Sequence, residues 1–273
     1  MKPRVAAAAG FNAELDAVRS AHRPRSLLKF FLLVFTFSVP VWLIGAAVGA
    51  ELMPGLPLSA LGAFCPMLAA LVLVHQERRT AGVVALLKRS FDFRRIGRMR
   101  WYVPIVALMP GVGVVVYALM RWMGMPVPAP QLSMWPTLLM FVGFFAGALG
   151  EELGWSGYAI DPMQVRWGAL QASVVLGLAT VLWHILPLVL AHRPAEWMAW
   201  WCLYAMAARV LIVWLYNSTG KSVFAAALFH TMLNLSWMLF PIYGSFFDMR
   251  IAGLVMAFVA AMVAMVTVVW RRP

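Results

Sequence analysis

The run FFLLVFTFSVPVWLIGAAVGA, Phe30–Ala50, places 21 residues in a row without one charged side chain. At about 1.5 Å per residue a helix of this length covers roughly 30 Å, the thickness of the hydrocarbon layer of a bilayer. It is longer than the apolar region of a cleavable signal, so it reads as a retained first span, although Val48-Gly49-Ala50 loosely resembles a cleavage site. Seven further apolar runs of comparable length follow, at about Leu58–His75, Trp101–Met120, Trp135–Tyr158, Ala169–Leu190, Trp197–Tyr216, Ser222–Phe240 and Ile251–Trp270. The chain therefore reads as an all-α, polytopic membrane protein of about eight transmembrane helices. Most connections are short, which makes sequential helices antiparallel neighbours. The exception is Gln76–Arg100, which holds an expected interfacial helix around Ala81–Leu87.

The composition agrees. Hydrophobic residues are 63% of the 273 positions and charged residues 12%. A soluble domain carries about a quarter charged residues. The formal charge of +12 does not point to nucleic acid, because its distribution follows the apolar runs. Six Lys and Arg precede Phe30 and eight lie between Arg78 and Arg100. Cationic loops of this kind stay on the cytoplasmic side, where they meet anionic lipid headgroups. With the N-terminus inside, cytoplasmic segments hold 18 Lys and Arg, while the opposite side holds Arg121, Arg193 and Arg250. That asymmetry predicts both termini in the cytoplasm.

Residues 1–26 are expected to form a basic, mobile cytoplasmic tail, and 27–270 one helical membrane domain. Trp101, Trp122, Trp135, Trp197 and Trp270 fall near span ends, as an interfacial aromatic belt would. Pro40, Pro66, Pro104 and Pro110 are expected to kink helices. Cys65 and Cys202 each sit inside an apolar run, which excludes a disulfide framework and a cysteine-rich metal site.

Ionisable groups inside the runs carry the functional information. Placing a charge at the bilayer centre costs at least about 2.5–3.5 kcal/mol on insertion scales. Glu151 and Glu152 occur late in the fourth run, within Gly150-Glu151-Glu152-Leu153-Gly154-Trp155-Ser156-Gly157-Tyr158. Two adjacent buried carboxylates cannot both ionise cheaply, so one is expected to be charged and the other protonated or ion-paired. The bland alternative ends the helix at Leu149 and leaves the pair solvated. His184 lies in the fifth run, and His230 and Asn234 in the seventh, where the i, i+4 spacing stacks them on one face. Taken singly, these could be interhelical hydrogen-bonding groups. Arg209, in the sixth run, either snorkels or pairs with a buried acid.

Together, two Glu, two His and an Asn on three helices supply a base, a polarising group and hydrogen-bond donors, the parts that activate water and stabilise an oxyanion. At about 1.5 Å per residue, His230 lies roughly 12 Å and Glu151 roughly 10 Å from the inner ends of their spans, whereas His184 lies roughly 20 Å deep. That mismatch predicts a polar or tilted start to the fifth helix, where Gln171 and Ser173 occur.

These residues resemble the motifs of the CPBP family of intramembrane proteases, which includes CAAX proteases and bacteriocin-processing or immunity proteins. The family is marked by Glu-Glu-x-x-x-Arg, aromatic-x-x-x-His and His-x-x-x-Asn, and Glu151-Glu152, His184, and His230 with Asn234 fit in that order. The flanks are similar too, as are Leu61-Gly62-Ala63-Phe64-Cys65-Pro66 and Phe91-Asp92-Phe93-Arg94-Arg95, so the resemblance covers about Leu27 to Trp270. Two positions depart from it: Ser156 stands at the motif arginine and Thr180 at the aromatic. Ser156 brings no charge, so either Glu152 is protonated or another cation replaces the arginine. Arg209 is the expected substitute.

The resemblance implies hydrolysis of a peptide bond in a membrane peptide or lipidated protein, including a prenylated CAAX-type substrate, with the core region at about 135–240. It implies that Glu151 and His184 activate water, that His230 and Asn234 stabilise the oxyanion, and that Glu152 belongs to the same site. Glu151, His184 and His230 would be the ligands if the enzyme uses zinc; a metal-free Glu–His base uses the same residues. The expected location is the plasma membrane, which is the inner membrane in a bacterium. The competing readings are a catalytically impaired relative acting in peptide binding or bacteriocin self-immunity, and a small proton-coupled transporter.

Overall fold

The computed structural model describes residues 26–270, with side chains described to 267. All but one residue of the expected basic tail, and the C-terminal Arg271 and Arg272, lie outside the described residues. Among the described residues the chain forms eight α-helices: α1 Leu27–Val48, α2 Cys65–Lys88, α3 Tyr102–Trp122, α4 Met134–Gly154, α5 Ile160–Leu190, α6 Ala195–Ser218, α7 Val223–Met238 and α8 Met249–Trp270. A two-stranded hairpin, β1 Glu51–Met53 and β2 Leu56–Pro57, links α1 to a 3₁₀ turn over Leu58–Phe64. The protein is an all-α, polytopic integral membrane protein.

Six helical stretches are long and apolar enough to cross a membrane. One of them, Met134–Leu190, contains both α4 and α5, and Val223–Met238 is apolar but has only 16 residues. Lipid-facing sides carry exposed Leu32, Leu43, Leu139, Leu254 and Phe258, whereas Phe30, Trp155, Tyr158, Leu176, Leu211 and Phe229 fill the interior. Inside a bilayer this inversion needs no aqueous hydrophobic effect. The helices are held by packing and by their buried polar contacts.

Local chemistry accounts for the ends. Ser26 caps α1, its hydroxyl accepting from the Lys29 amide, and Gly49 closes that helix in the left-handed conformation. Ser222 caps α7 by accepting from the Ala225 amide, and Asp92, from the loop before α3, accepts from the Val223 and Phe224 amides as well. Pro40 and Pro110 lie inside helices as expected. Pro66 and Pro104 instead occupy the first turns of α2 and α3, where the missing N–H has no intrahelical partner to lose, so they initiate those helices. The α2 helix is broken at Arg79, φ 56° and ψ −159°, and the piece beyond it contains the expected interfacial segment Ala81–Leu87.

The reversal between α4 and the outgoing half of α5 lies farther along than the apolar run indicates. The helix continues past Tyr158, through a π-turn at Trp155–Ala159, and breaks only at Gly168, φ 76° and ψ 169°. That conformation is open essentially to glycine alone. Pairings with α6 show the change of direction. Glu152, Asp161 and Gln164 meet Arg209, Tyr216 and Asn217 in ascending order. Beyond Gly168 the order descends, with Gly177 against Met206 and His184 against Trp201.

Candidate active site

Two glycines let α4 approach its neighbours closely enough to bury an acidic pair. A Cβ on Gly150 would lie 2.8 Å from the Ala63 carbonyl oxygen, and one on Gly154 would lie 2.5 Å from the Pro66 carbonyl oxygen. Between them Glu152 is 0% exposed and Glu151 is 7% exposed. The alternative of a helix ending at Leu149 with a solvated pair is therefore corrected. The helix runs on to Gly154 and then widens through the π-turn, a feature common at functional sites.

Glu152 is the centre of a buried polar cluster. Arg209 Nη1 donates to both of its oxygens, at 2.8 and 3.0 Å. His230 Nδ1 stands 3.0 Å from Oε1, and the Ser156 hydroxyl donates to Oε2. Arg209 is 4% exposed, so neither partner of the ion pair has water to fall back on. The expected substitution of Arg209 for the missing arginine thus has a geometric counterpart. The cation reaches Glu152 from α6, while Ser156 occupies the space one turn along α4.

Glu151 points elsewhere. Its Oε2 accepts from Trp155 Nε1 at 3.2 Å, and it lies near enough to act electrostatically on both His184 and His230. Among the described residues His184 has one hydrogen-bond partner, the Thr180 carbonyl 2.7 Å from Nδ1; since a carbonyl can only accept, Nδ1 carries the proton and donates. The same reasoning for His230, whose Nδ1 faces a carboxylate, leaves both rings with Nε2 uncommitted. The His184 ring is met edge-on by Trp183, 4.5 Å between centroids, and at a tilt by Trp201 at 4.9 Å. Asn234, one turn beyond His230 and half-buried, makes no side-chain hydrogen bond among the described residues.

The depth mismatch of His184 disappears because the reversal is at Gly168. Glu151 is 17 residues before that glycine and His184 is 16 after it (168 − 151 and 184 − 168). The two arms of the hairpin are nearly equal, so both residues stand at about the same height, with Trp155 against Trp183 at 5.8 Å between them. The expected polar or tilted start to the fifth helix is not needed.

Thus Glu152, His230 and Arg209 are in direct contact, Glu151 and His184 share their electrostatic neighbourhood, and no hydrogen bond joins His184 to Glu151 among the described residues. Sequence reasoning missed Trp155, Trp183 and Trp201. Trp155 was findable, being four residues from Glu151 on a helix; Trp201 carries no local signal. The set Glu151, His184 and His230 is not gathered as metal ligands. Among the described residues no three His, Cys, Asp or Glu side chains could hold a metal ion.

Residues 133–236, from the cap of α4 to the last turns of α7, match the family described as type II CAAX prenyl endopeptidase Rce1-like. That segment contains all five site residues. In that segment the chain is similar to CPBP-type proteases. It is also 25% identical over 232 residues to the CAAX prenyl protease 2 of Methanococcus maripaludis, an alignment covering 76% of this chain and 82% of that relative. Inside the matched segment Ser156 donates to Glu152, and the cation that meets Glu152 is supplied by Arg209.

Proposed function

We propose that this intramembrane endopeptidase hydrolyses a peptide bond in a membrane-associated, lipidated substrate of the CAAX type, using water activated at Glu151. The observation that carries this reading is the buried arrangement of Glu152, Arg209 and His230 beside an independently oriented Glu151. The two carboxylates and Arg209 leave room for one more positive charge, and His230 as imidazolium completes a neutral set. Its Nε2–H is then available to an oxyanion, with the Asn234 amide one turn away as a second donor.

In the proposed step, Glu151 takes a proton from water as the oxygen attacks the scissile carbonyl carbon. The carbonyl π-electrons move onto oxygen, where His230 and Asn234 donate to them. On collapse the C–N bond breaks, and the proton held at Glu151 passes to the leaving amine. His184, with Nε2 free, is placed to help with that transfer. The second water proton moves from the new carboxyl group to the amine, so the products are a carboxylate and an ammonium. No step passes through a metal.

The substrate class follows the name of the matched family and of the archaeal relative, together with a site buried among membrane helices. Both termini are assigned to the cytoplasm of a plasma membrane by the Lys and Arg asymmetry. Exposed Arg78, Arg79, Arg94, Arg95, Arg98 and Arg100 then face anionic headgroups on that side.

The test is cleavage of a panel of prenylated and unmodified membrane peptides by purified protein, alongside Glu151→Ala and His230→Ala. Product from the unaltered protein alone is expected. Equal product from all three would remove the assignment, and binding without cleavage by the unaltered protein would identify an impaired peptide-binding relative.

A further inference from the structure

We propose that Arg89 is a positioning residue for this site, one guanidinium that fixes the relative placement of the three segments bearing Glu152, Arg209 and His230. The proposal rests on the protease reading for its catalytic consequence and on geometry alone for the clamp itself. Arg89 follows the last turn of α2 and is far from the catalytic groups in sequence. Its Nη1 donates to the Gly157 carbonyl at 3.0 Å, and its Nη2 donates to the Tyr216 hydroxyl at 2.9 Å and the Lys221 carbonyl at 2.7 Å. Gly157 lies in the π-turn, five residues after Glu152; Tyr216 is seven residues after Arg209 on α6; Lys221 is nine residues before His230, at the entry to α7. Each member of the buried cluster thus has its own helix anchored to the same cation.

Neighbouring groups make the clamp rigid. The Tyr216 hydroxyl donates to Asp161 Oδ2 at 3.1 Å, and Lys221 Nζ pairs with Asp161 Oδ1 at 2.9 Å. Asp92, 3.7 Å from Arg89 Nε, accepts from the Ser222 hydroxyl at 2.7 Å and from the first amides of α7. The Arg89 side chain is only 18% exposed, unlike the surrounding arginines. Gly157 permits the approach, because a Cβ there would meet Leu86 Cδ1 at 3.0 Å. A planar fork with five donors can join three acceptors at fixed angles, which an ammonium on a flexible stem cannot.

Arg89→Met is expected to lower kcat by about 100-fold while KM changes little, the result of sub-ångström to 1 Å misplacement of reacting groups. Arg89→Lys should recover part of that loss, and Arg94→Met, at an exposed neighbour, should behave as the unaltered protein. A second readout needs no substrate: ¹⁵N imidazole NMR of His230 in micelles, which reports its contact with Glu152. The His230 resonances should move in Arg89→Met and stay in Arg94→Met. If Arg89→Met does not fold, Tyr216→Phe removes one arm of the clamp and should lower kcat by about 3- to 10-fold, the worth of one hydrogen bond. A folded variant with unchanged kcat and unchanged His230 resonances overturns the proposal. Should the unaltered protein cleave nothing, the protease reading falls on that result, and the His230 resonances still decide the clamp.

Discussion

Replacing Arg209 by Met removes a charge of fixed position while keeping most of the side-chain volume. In the folded protein it leaves Glu152, fully buried, with His230 and the Ser156 hydroxyl as its remaining partners. Breaking a buried ion pair by deleting one partner costs about 3–5 kcal/mol. The pair here is near the upper end of that range, since one nitrogen bonds both carboxylate oxygens and both residues are almost wholly excluded from solvent. The variant has two ways to respond. It can unfold more readily, seen as a lower Tm in detergent. Or Glu152 can take up a proton, which removes the counter-charge for the His230 imidazolium and lowers kcat by about 100-fold or more, the usual worth of one lost oxyanion donor. Either outcome supports the pairing. Ser156→Arg introduced into the Arg209→Met protein puts a cation one helical turn from Glu152, at the position of the motif arginine. It should recover at least a tenth of the lost rate. The assay is cleavage of a quenched fluorescent membrane peptide in proteoliposomes, with Tm measured on the same preparation. Arg209→Met with unaltered Tm and unaltered kcat would refute the reasoning.

Three further outcomes follow from the site and the fold. Glu151→Gln keeps the side chain's shape and its contact with Trp155 but removes the base, so kcat should fall by about 100-fold or more with Tm unchanged; a near-normal rate would transfer the base role to another residue. Gly168→Ala forces a Cβ onto φ 76° with nothing within 4 Å to clash, so the cost is conformational, about 1–3 kcal/mol, and should appear as a lower Tm. Treatment with a strong zinc chelator is expected to leave the rate unchanged, because Glu151, His184 and His230 are not disposed as ligands; loss of activity restored by added zinc would contradict the steps proposed above.

The spans were legible because a bilayer imposes a length and an apolar composition that few other solvents require. Leu27–Val48, Tyr102–Trp122 and Ala195–Ser218 fall within a few residues of the runs that predicted them. The partner of Glu152 was legible for a related reason. Arg209 is a charge inside an apolar helix, and such a charge needs an acid. What could not be seen was that the helical run continues from α4 through the π-turn and into α5 as far as Trp167. Beyond Tyr158 the sequence turns polar, with Asp161, Gln164 and Arg166, and hydropathy cannot tell a helix leaving the membrane from a loop. The depth of His184 was misjudged as a direct consequence. Arg89 was hidden differently, among eight basic residues of one segment whose shared reading is headgroup contact. Only its three acceptors from distant parts of the chain set it apart.

The ion pair at the centre of the site also has a consequence for synthesis. Glu152 and Arg209 are 57 residues apart, so at about 5–20 residues per second the carboxylate leaves the ribosome several seconds before its cation exists. A cation four residues away would accompany Glu152 through the translocon. Here the α4–α5 hairpin must enter the bilayer with its acid uncompensated, and only the arrival of α6 settles that charge. Insertion of this protein therefore has an interval, after Leu190 is made and before Arg209 is, in which the chain is an acid-bearing hairpin awaiting its partner.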